Sequence, residues 1–508
     1  MSDAPAAPHP WIARSQATAS GAIVAEATPG IDPLTVFAHS AAAPHVLFLD
    51  TALVDPEPPA EGGVPLPPLG RWSFVTAAPI HRIDVPAGSD PAAVAAGFAV
   101  VRRLLADLAS PTIPGLPPFQ GGLAGLISYD AGLARLGLAP PPGLPPEVPL
   151  VALHLYDVVF AYDHLLRRGW FISQGVPARG PAARRHRAAE RLAAFLEARP
   201  ARPSTDPAAA ANPPGSSLPS RPAIRTSHPP DHYHRMVQAG IDAVLAGDIF
   251  QVNLAQRLCL AADLDPIALH LAARRVNAAP FAACFDTGGT QLVSMSPERF
   301  LQASQGTVRM HPIKGTRRVI ASPEADLYAG ADLEASAKDR AENVMIVDLV
   351  RNDLARVCRP ESVRVEALCR LERFRYVQHL VSVVAGRLRP GMGVVDAIEC
   401  AIPGGSVTGA PKHRACEIIS ELEGVARGAY CGCLGYLGLD GTADFNLLIR
   451  TLVVAPGSIT CAAGGGITAA SDPAAEYDET LHKAEGLLRV IESLGPHGLG
   501  ARALEAAR

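Results

Sequence analysis

The sequence predicts an α/β fold of the α+β type, built from more than one subdomain. Residues 45–50 and 148–163 are rich in aliphatic and aromatic side chains, which is typical of strands. Residues 91–109 instead carry apolar side chains at the spacing of a helix. The chain has 508 residues, and a single hydrophobic core is usually found only in shorter chains. Strands and helices in a chain of this length predict an N-terminal subdomain followed by a second domain.

Two helix starts are marked by capping residues. Asp90 precedes Pro91, and Asp472 precedes Pro473. An aspartate before the first turn accepts hydrogen bonds from free backbone N–H groups, and a proline at the first position already has the helical φ. The two pairs therefore predict helices that begin at the two prolines.

A segment at residues 200–222 is rich in proline, alanine and serine and has no apolar period, so we predict a linker or disordered loop there. It divides the chain into an N-terminal domain, residues 1–199, and a second domain, residues 223–494, with a tail at residues 495–508. The second domain is predicted to contain a long helix at residues 337–357.

Composition argues against several classes of protein. The chain has 45 basic and 49 acidic side chains, a net charge of −4, and 48% hydrophobic residues. This balance argues against nucleic acid or a membrane surface as a partner. No signal segment and no apolar stretch of membrane-spanning length is visible, so we expect a soluble, cytoplasmic protein. The nine cysteines lack C-x-x-C spacing, which predicts reduced thiols.

Charged residues recur on two predicted helix faces. Glu476, Glu479 and Lys483 share one face of the last helix, and Lys338 and Glu342 lie four residues apart on an earlier one. One interpretation is a solvated face with ion pairs. The other is a Mg²⁺ site, because this ion takes one or two protein carboxylates and completes its shell with substrate and water.

Two glycine-rich turns precede helix starts. The first contains Gly464, Gly465 and Gly466, and the second carries Ser406 and Lys412. Glycines let backbone N–H groups approach an anion closely. The first turn matches neither G-x-G-x-x-G nor the Walker loop, so a small anionic ligand is favoured over a nucleotide.

The stretch HPIKGTRR places Lys314 between a proline and a glycine. It is either an ordinary exposed lysine or a buried amine that loses its proton and acts as a nucleophile. Arg317 and Arg318 would favour that loss. His379 lies in an apolar run and Glu298 near a predicted element start, where structural roles are the ordinary alternative.

Taken in order, nine stretches resemble the chorismate-utilising enzymes, the family that contains anthranilate synthase component I, aminodeoxychorismate synthase component I, and the isochorismate and salicylate synthases. They are GDIFQVNLAQRL, SPERF, HPIKGTRR, DRAENVMIVDLVRNDL, VQHLVSVVAG, PGGSVTGAPK, GYLGLDGTADFNLLIRTL, GGGIT and AEYDETLHKA, and the similarity covers roughly residues 225–492. The resemblance implies an anthranilate synthase component I-like fold, with large antiparallel sheets packed with helices. It also implies a Mg²⁺-dependent chorismate site between them.

The resemblance assigns roles to individual residues. Glu342 and Glu479 fall where the family's Mg²⁺ ligands lie, with Glu476 adjacent. Substrate binding is expected for Tyr430, Arg450, Ser406, Gly464, Gly465, Gly466 and Lys483. Arg450 suits this task because a guanidinium holds a carboxylate through two parallel hydrogen bonds.

Two positions separate the branches of the family. Isochorismate and salicylate synthases resemble one another in a water-activating lysine where this chain has Gln251, so attack by water is disfavoured. Anthranilate synthases usually read P-I-A-G-T where this chain has Lys314, and the lysine form is characteristic of aminodeoxychorismate synthase component I. Ser406, where anthranilate synthases usually carry threonine, agrees. The resemblance therefore implies amination of chorismate at C4, for 4-aminobenzoate and folate synthesis.

The implied mechanism is covalent. Lys314 would attack C2 of chorismate, Glu298 would act as general acid on the departing C4 hydroxyl, and ammonia would then attack C4 and displace the lysine. His379 matches a family histidine that lies close to the substrate ring. Anthranilate formation, and a non-catalytic scaffold of this fold that binds chorismate or a glutaminase, are the alternatives.

The implied reaction requires other proteins. None of the nine cysteines lies in the G-x-C-x-G context of class I amidotransferases, so a separate class I glutamine amidotransferase subunit is expected to supply ammonia. No second catalytic module is visible after residue 495. A separate aminodeoxychorismate lyase that uses pyridoxal phosphate is therefore expected to act on the product.

Overall fold

The computed structural model describes residues 9–52, 69–141, 148–197, 224–319, 323–373 and 377–494. The predicted loop at residues 200–222 and the predicted tail at 495–508 lie outside these ranges. Within them, both the helices and the strands expected from the sequence are present, and all nine cysteines are free thiols, as predicted.

Eleven helices are found in the described part of the chain. They are α1 (Pro33–Ser40), α2 (Pro91–Asp107), α3 (Tyr129–Arg135), α4 (Pro181–Glu197), α5 (Pro230–Leu245), α6 (Pro266–Val276), α7 (Pro323–Ala335), α8 (Ala337–Ala355), α9 (Val394–Ala401), α10 (Lys412–Glu423) and α11 (Pro473–Ser493). No helix within the described ranges combines the length and apolarity needed to cross a membrane. The helices at Pro91 and Pro473 begin as predicted: Asp90 accepts the N–H of Ala93 at 2.8 Å, and Asp472 that of Ala475 at 2.9 Å.

The strands run through the whole described chain. They are β1 (Ile12–Ala17), β2 (Ile23–Ala27), β3 (Leu47–Asp50), β4 (Trp72–Thr76), β5 (His81–Val85), β6 (Gly122–Ile127), β7 (Val151–Tyr156), β8 (Val158–Asp163), β9 (Arg168–Ser173), β10 (Ile224–Thr226), β11 (Gln251–Leu260), β12 (Phe281–Asp286), β13 (Gln291–Ser296), β14 (Arg299–Ser304), β15 (Thr307–Met310), β16 (Ile313–Arg318), β17 (Arg364–Arg373), β18 (Val377–Arg387), β19 (Gly409–Ala410), β20 (Cys433–Gly438), β21 (Ala443–Leu447), β22 (Thr451–Ala455) and β23 (Ser458–Ile467).

These strands form two large antiparallel sheets. In the described residues the first has 13 strands, in the order β1-β2-β9-β8-β4-β3-β12-β13-β22-β23-β11-β10, with β19 paired to β11. The second has 10 strands, in the order β16-β18-β15-β14-β21-β20-β6-β7-β5, with β17 paired to β18. The predicted α/β fold with large antiparallel sheets is confirmed. Strands from both sides of residues 200–222 pair in each sheet, β3 with β12 and β6 with β20, so the two predicted domains share their sheets.

Strand β11 divides an apolar side from a polar side. Val252 and Leu254 are fully buried among the apolar residues of α5 and α11. Because successive side chains of a strand point to opposite faces, Gln251 and Asn253 lie on the other face. They too are almost completely buried. A strand that buries two amides must place them in a site where a polar ligand can be held.

A buried ion pair fixes this polar side. Arg427 binds both carboxylate oxygens of Glu423, at 2.6 and 2.9 Å, and both side chains are almost fully removed from solvent. Arg427 also donates to the backbone oxygens of Val407 and Asn253, at 2.9 and 2.7 Å. Glu423 accepts the N–H of Ala255 at 2.8 Å. The pair therefore ties the end of α10 to the middle of β11.

We predict that Arg427→Met lowers the free energy of unfolding by about 3–5 kcal/mol, because it leaves the Glu423 carboxylate buried without its cation. The control is Arg489→Met, which removes an exposed pair with Glu485 at the same i, i+4 spacing and should cost less than about 1 kcal/mol. Urea denaturation followed by circular dichroism measures both values. Equal losses in the two variants would contradict the importance of the buried pair.

Candidate active site

A β-bulge at Gly315 determines the direction of the neighbouring Lys314 side chain. Strand β16 pairs with β18, and the register shifts between residues 314 and 316. Gly315 has φ +78°, and a Cβ there would lie 2.8 Å from Leu333 Cδ1 and 3.0 Å from Asp339 Cβ. Only glycine accepts both the left-handed backbone and the contact. The bulge turns the Lys314 side chain out of the regular alternation of the strand.

The Lys314 amine reaches across to the other sheet. A Cβ on Gly466 in β23 would lie 3.5 Å from Lys314 Nζ, so the glycine leaves the space that the amine approaches. Burial lowers the pKa of Lys314, and the charge of Lys483 lowers it further, while the carboxylates of Glu342 and Glu298 act in the opposite direction. The net effect is a pKa below the usual lysine value. A neutral amine is thus more accessible here than on the surface.

Glu298 lies on the other side of the amine, between β13 and β14. Its carboxyl is 6% exposed and accepts a 2.7 Å hydrogen bond from Ser406 Oγ. Burial raises the pKa of Glu298 to about 7, although the Ser406 hydroxyl, Lys314 and the Ile313 backbone N–H each act to lower it. A carboxyl group with a pKa near 7 can hold and deliver a proton at neutral pH.

His379 and Arg450 lie together beside the bulge. His379 on β18 is opposite Thr316, is buried, and donates a ring N–H to the backbone oxygen of Gly315. Burial, together with the Arg450 charge, lowers the pKa of His379 to about 4. The imidazole is therefore neutral at neutral pH. Arg450 occupies the turn between β21 and β22 with φ +54°.

Tyr430 is half-buried and lies beside the buried pair of Arg427 and Glu423. The guanidinium carbon of Arg427 lies 5.6 Å from the centre of its ring, within cation–π distance. The buried ion pair that fixes β11 therefore also positions this tyrosine. The sequence did not single out Arg427, because a glutamate and an arginine four residues apart are common on exposed helices.

The glycines of β23 differ in the direction of their N–H groups. Asn253 and Ala255 give their own N–H groups to Thr408 and Glu423, away from β23. Their partners across the ladder, Gly466 and Gly464, are therefore non-hydrogen-bonded pairs, and the N–H groups of these two glycines point away from β11. Gly465 lies between them and directs its N–H into the ladder. Two of the three predicted donors are thus free of the sheet, and Gly465 is not, because neighbouring residues of a strand alternate.

Gly465 instead makes room for two carboxylates. A Cβ at this position would lie 2.8 Å from Glu476 Oε2 and 3.9 Å from Glu479 Oε1. Glu476 accepts a 2.7 Å hydrogen bond from Ser471, and burial raises its pKa. Lys483 binds Glu479 at 2.6 Å and the backbone oxygen of Gly464 at 2.8 Å. The ion pair expected on this helix face is present, and Glu476 and Glu479 both approach Gly465.

These carboxylates are of the type that could bind a magnesium ion whose coordination shell is completed by substrate and water. Within the described ranges, no group of three or more His, Cys, Asp or Glu side chains is arranged to hold a metal on its own. Glu476 and Glu479 converge over Gly465, and Glu342 acts electrostatically on the same Lys314 amine. Two carboxylates with room for substrate oxygens and water are the arrangement that Mg²⁺ uses.

Lys412 is predicted to lie in an anion-binding turn, and Arg317 to lower the pKa of Lys314. In the structure both side chains form ion pairs with aspartates. Lys412 is buried and binds Asp353 at 2.6 Å and the Ala401 backbone oxygen at 2.9 Å. Arg317 binds Asp332 and Asp339, at 3.2 and 3.3 Å. Lys483 is a cation that lowers the pKa of Lys314. The side chain of Arg318 lies outside the described atoms.

Known proteins are similar to this chain in both sequence and fold. A family model described as chorismate binding enzyme matches residues 68–489. The chain is 38% identical to anthranilate synthase component 1 of Streptomyces coelicolor over 473 residues, which cover 91% of this chain and 86% of that protein. It is 41% identical to aminodeoxychorismate synthase component 1 of Klebsiella aerogenes over 379 residues, which cover 74% of this chain and 78% of that protein.

The crystal structure of anthranilate synthase component I from Streptococcus pneumoniae superposes with a TM-score of 0.69 at 28% identity, covering 84% of this chain and 95% of that one. Its likeness agrees with the two shared sheets described above. The family model spans the segments that contain Lys314, Glu298, Arg450 and the glycines of β23. On this combined match of sequence and fold, the chain belongs to the family of chorismate-binding enzymes.

Proposed function

We propose that this enzyme aminates chorismate at C4, forming 4-amino-4-deoxychorismate through a covalent bond to Lys314. The observation that carries the proposal is the desolvated Lys314 amine at the Gly315 bulge, close enough to Glu298 for each group to shift the pKa of the other. The comparisons include relatives named for both anthranilate and aminodeoxychorismate synthesis, so overall similarity does not choose between them. The presence of a nucleophilic lysine does favour C4.

The first step forms a bond between Lys314 Nζ and C2 of chorismate. Both ring double bonds shift, the C4–O bond breaks, and the departing hydroxyl takes the Glu298 proton and leaves as water. The lysine nitrogen, once bonded to C2, passes a proton to the Glu298 carboxylate and so restores the acid. This step needs an unprotonated amine and a protonated carboxyl, and burial favours both forms here.

The second step forms the C4–N bond. Ammonia attacks C4, both ring double bonds shift back, and the bond between C2 and Lys314 Nζ breaks. The lysine recovers a proton from the incoming nitrogen. Covalent catalysis thus divides one difficult displacement into two easier ones, and the enolpyruvyl ether is retained.

Substrate carboxylates would be held by groups on facing sheets. Arg450 and Tyr430 would hold one carboxylate, and the outward N–H groups of Gly464 and Gly466 would bind the other. His379 is neutral and gives its one ring N–H to Gly315, so its other ring nitrogen would accept a hydrogen bond near the substrate ring without adding a charge.

We further propose Mg²⁺ as the cofactor, held by Glu479 and Glu342 with Glu476 beside them. When bound, the ion would neutralise a substrate carboxylate and polarise the site near the leaving group. We also propose that a separate class I glutamine amidotransferase supplies ammonia. The name "component 1" of the relatives agrees with a second subunit. A separate lyase would complete 4-aminobenzoate in the cytoplasm.

The product decides between the two amination reactions. We expect chorismate, Mg²⁺ and ammonium chloride to give no fluorescent 2-aminobenzoate, and to give 4-aminobenzoate after aminodeoxychorismate lyase is added. Liquid chromatography separates the two isomers. Formation of 2-aminobenzoate without the lyase would establish the anthranilate reaction and sink the C4 proposal.

The covalent step predicts an adduct. With ammonia omitted, we expect mass spectrometry to find chorismate minus water on the peptide that contains Lys314. Peptides with Lys338, Lys412 and Lys483 in the same digest serve as controls and should stay unmodified. Lys314→Ala should lose the adduct and reduce kcat on the order of 10²-fold or more. Full activity in this variant, with no adduct in the wild type, would exclude lysine as the nucleophile.

The general-acid role of Glu298 predicts a pH dependence. Because the acid must be protonated, kcat/KM for chorismate should fall as pH rises through about 7. Ser406→Ala removes a donor that favours the carboxylate, so its midpoint should move to higher pH. Glu298→Gln should remove this limb and lower kcat about 10²- to 10⁴-fold. Initial rates at saturating ammonia measure all three profiles, and a limb that survives in Glu298→Gln belongs to another group.

A further inference from the structure

Two buried amide oxygens on β11 have no hydrogen-bond donor from the described protein. They are Gln251 Oε1 and Asn253 Oδ1, and the two side chains are 1% and 7% exposed. Buried amide oxygens are normally satisfied, because an unpartnered one costs stability. A pair of them on adjacent same-face positions of β11 therefore points to a ligand that donates hydrogen bonds.

Strand geometry directs both side chains toward the amine. Asn253 is directly opposite Gly466 in the ladder, and opposed residues point to the same face. A Cβ at Gly466 would meet Gln251 Nε2 at 2.1 Å and Lys314 Nζ at 3.5 Å. The face that carries the two amides is thus the one that the Lys314 amine approaches.

The backbone of Asn253 is held independently of its side chain. Its N–H donates to Thr408 at 2.6 Å, and its carbonyl accepts from Arg427 at 2.7 Å. Arg427 is itself fixed by Glu423. The backbone that carries the side chain is therefore fixed, although no described protein group donates a hydrogen bond to the side-chain oxygen.

The chemistry of the reactants selects the ligand. Chorismate offers two carboxylates and an ether, which accept hydrogen bonds, and a C4 hydroxyl, for which Glu298 is the proton donor. Ammonia offers three N–H donors and one lone pair. Two carbonyl oxygens that hold two of its hydrogens would leave the lone pair directed away from β11, toward the ring.

We propose that Asn253, beside Gln251, is a positioning residue that binds ammonia for its attack on the ring. This inference rests on the proposed amination of chorismate. It concerns the bound nucleophile and does not depend on which ring carbon receives the nitrogen.

The test compares two Michaelis constants in Asn253→Leu, with ammonium chloride as the nitrogen source at constant pH. We expect KM for ammonia to rise roughly 3- to 10-fold, the value of one lost hydrogen bond, while KM for chorismate and the formation of the Lys314 adduct stay unchanged. Asn253→Ser keeps an acceptor and should show a smaller rise. The melting temperature of Asn253→Leu should be unchanged or higher, since an unpartnered buried amide has been removed.

Ser173→Ala is the matched control, because Ser173 on β9 also buries a side-chain oxygen without a donor from the described protein but lies outside the site. It should change neither Michaelis constant. An unchanged KM for ammonia in folded Asn253→Leu overturns the inference, and so does a raised KM for chorismate.

Failure of the proposed function can be told apart from failure of this inference. If the wild-type enzyme forms 2-aminobenzoate, the C4 proposal fails, but the ammonia KM of Asn253→Leu still decides the role of Asn253, because that product also takes its nitrogen from ammonia. A wild-type enzyme that forms no aminated product overturns both.

Discussion

The site depends on the close approach of Lys314, on one sheet, to Gly466, on the other. Any side chain at residue 466 would collide with Gln251 and occupy the space beside the amine. On the opposite sheet, Gly315 makes the bulge that turns the lysine inward. Two glycines on facing sheets thus let an amine enter a space that is otherwise closed by close packing.

Removal from water then sets the chemistry of the two central groups. On the surface, a lysine and a glutamate would both be charged at neutral pH. Here burial raises the pKa of Glu298 to about 7 and lowers that of Lys314, so both are shifted toward their neutral forms. Neighbouring charges such as Glu342 limit the shift of the lysine. The same desolvation therefore favours an unprotonated amine, which can act as a nucleophile, and a protonated carboxyl, which can act as an acid.

Local features of the fold could be predicted from the sequence, because their causes lie within a few residues. The helix starts at Asp90 and Asp472 follow from capping, and the structure has both hydrogen bonds. The pairing of β3 with β12 could not be predicted, because it joins segments from opposite sides of residues 200–222. The same limit applies to charges. In the sequence, Lys412 lies in a glycine-rich turn and resembles an anion-binding group. Its partner, Asp353, lies on a distant segment of the chain and could not be predicted.

In β11 the backbone groups are bound by the described protein, whereas two side-chain oxygens are not, and this difference explains how the strand tolerates such a site. Its backbone groups are satisfied by the buried pair of Arg427 and Glu423, which binds the Asn253 carbonyl and the Ala255 N–H. Its inward side chains, Gln251 and Asn253, are left to a ligand. A buried unpartnered amide destabilises a fold, but a fully satisfied network next to it holds the strand in place. Because framework and ligand use different atoms of the same residues, the side chains facing the substrate can differ between relatives while the strand keeps its position.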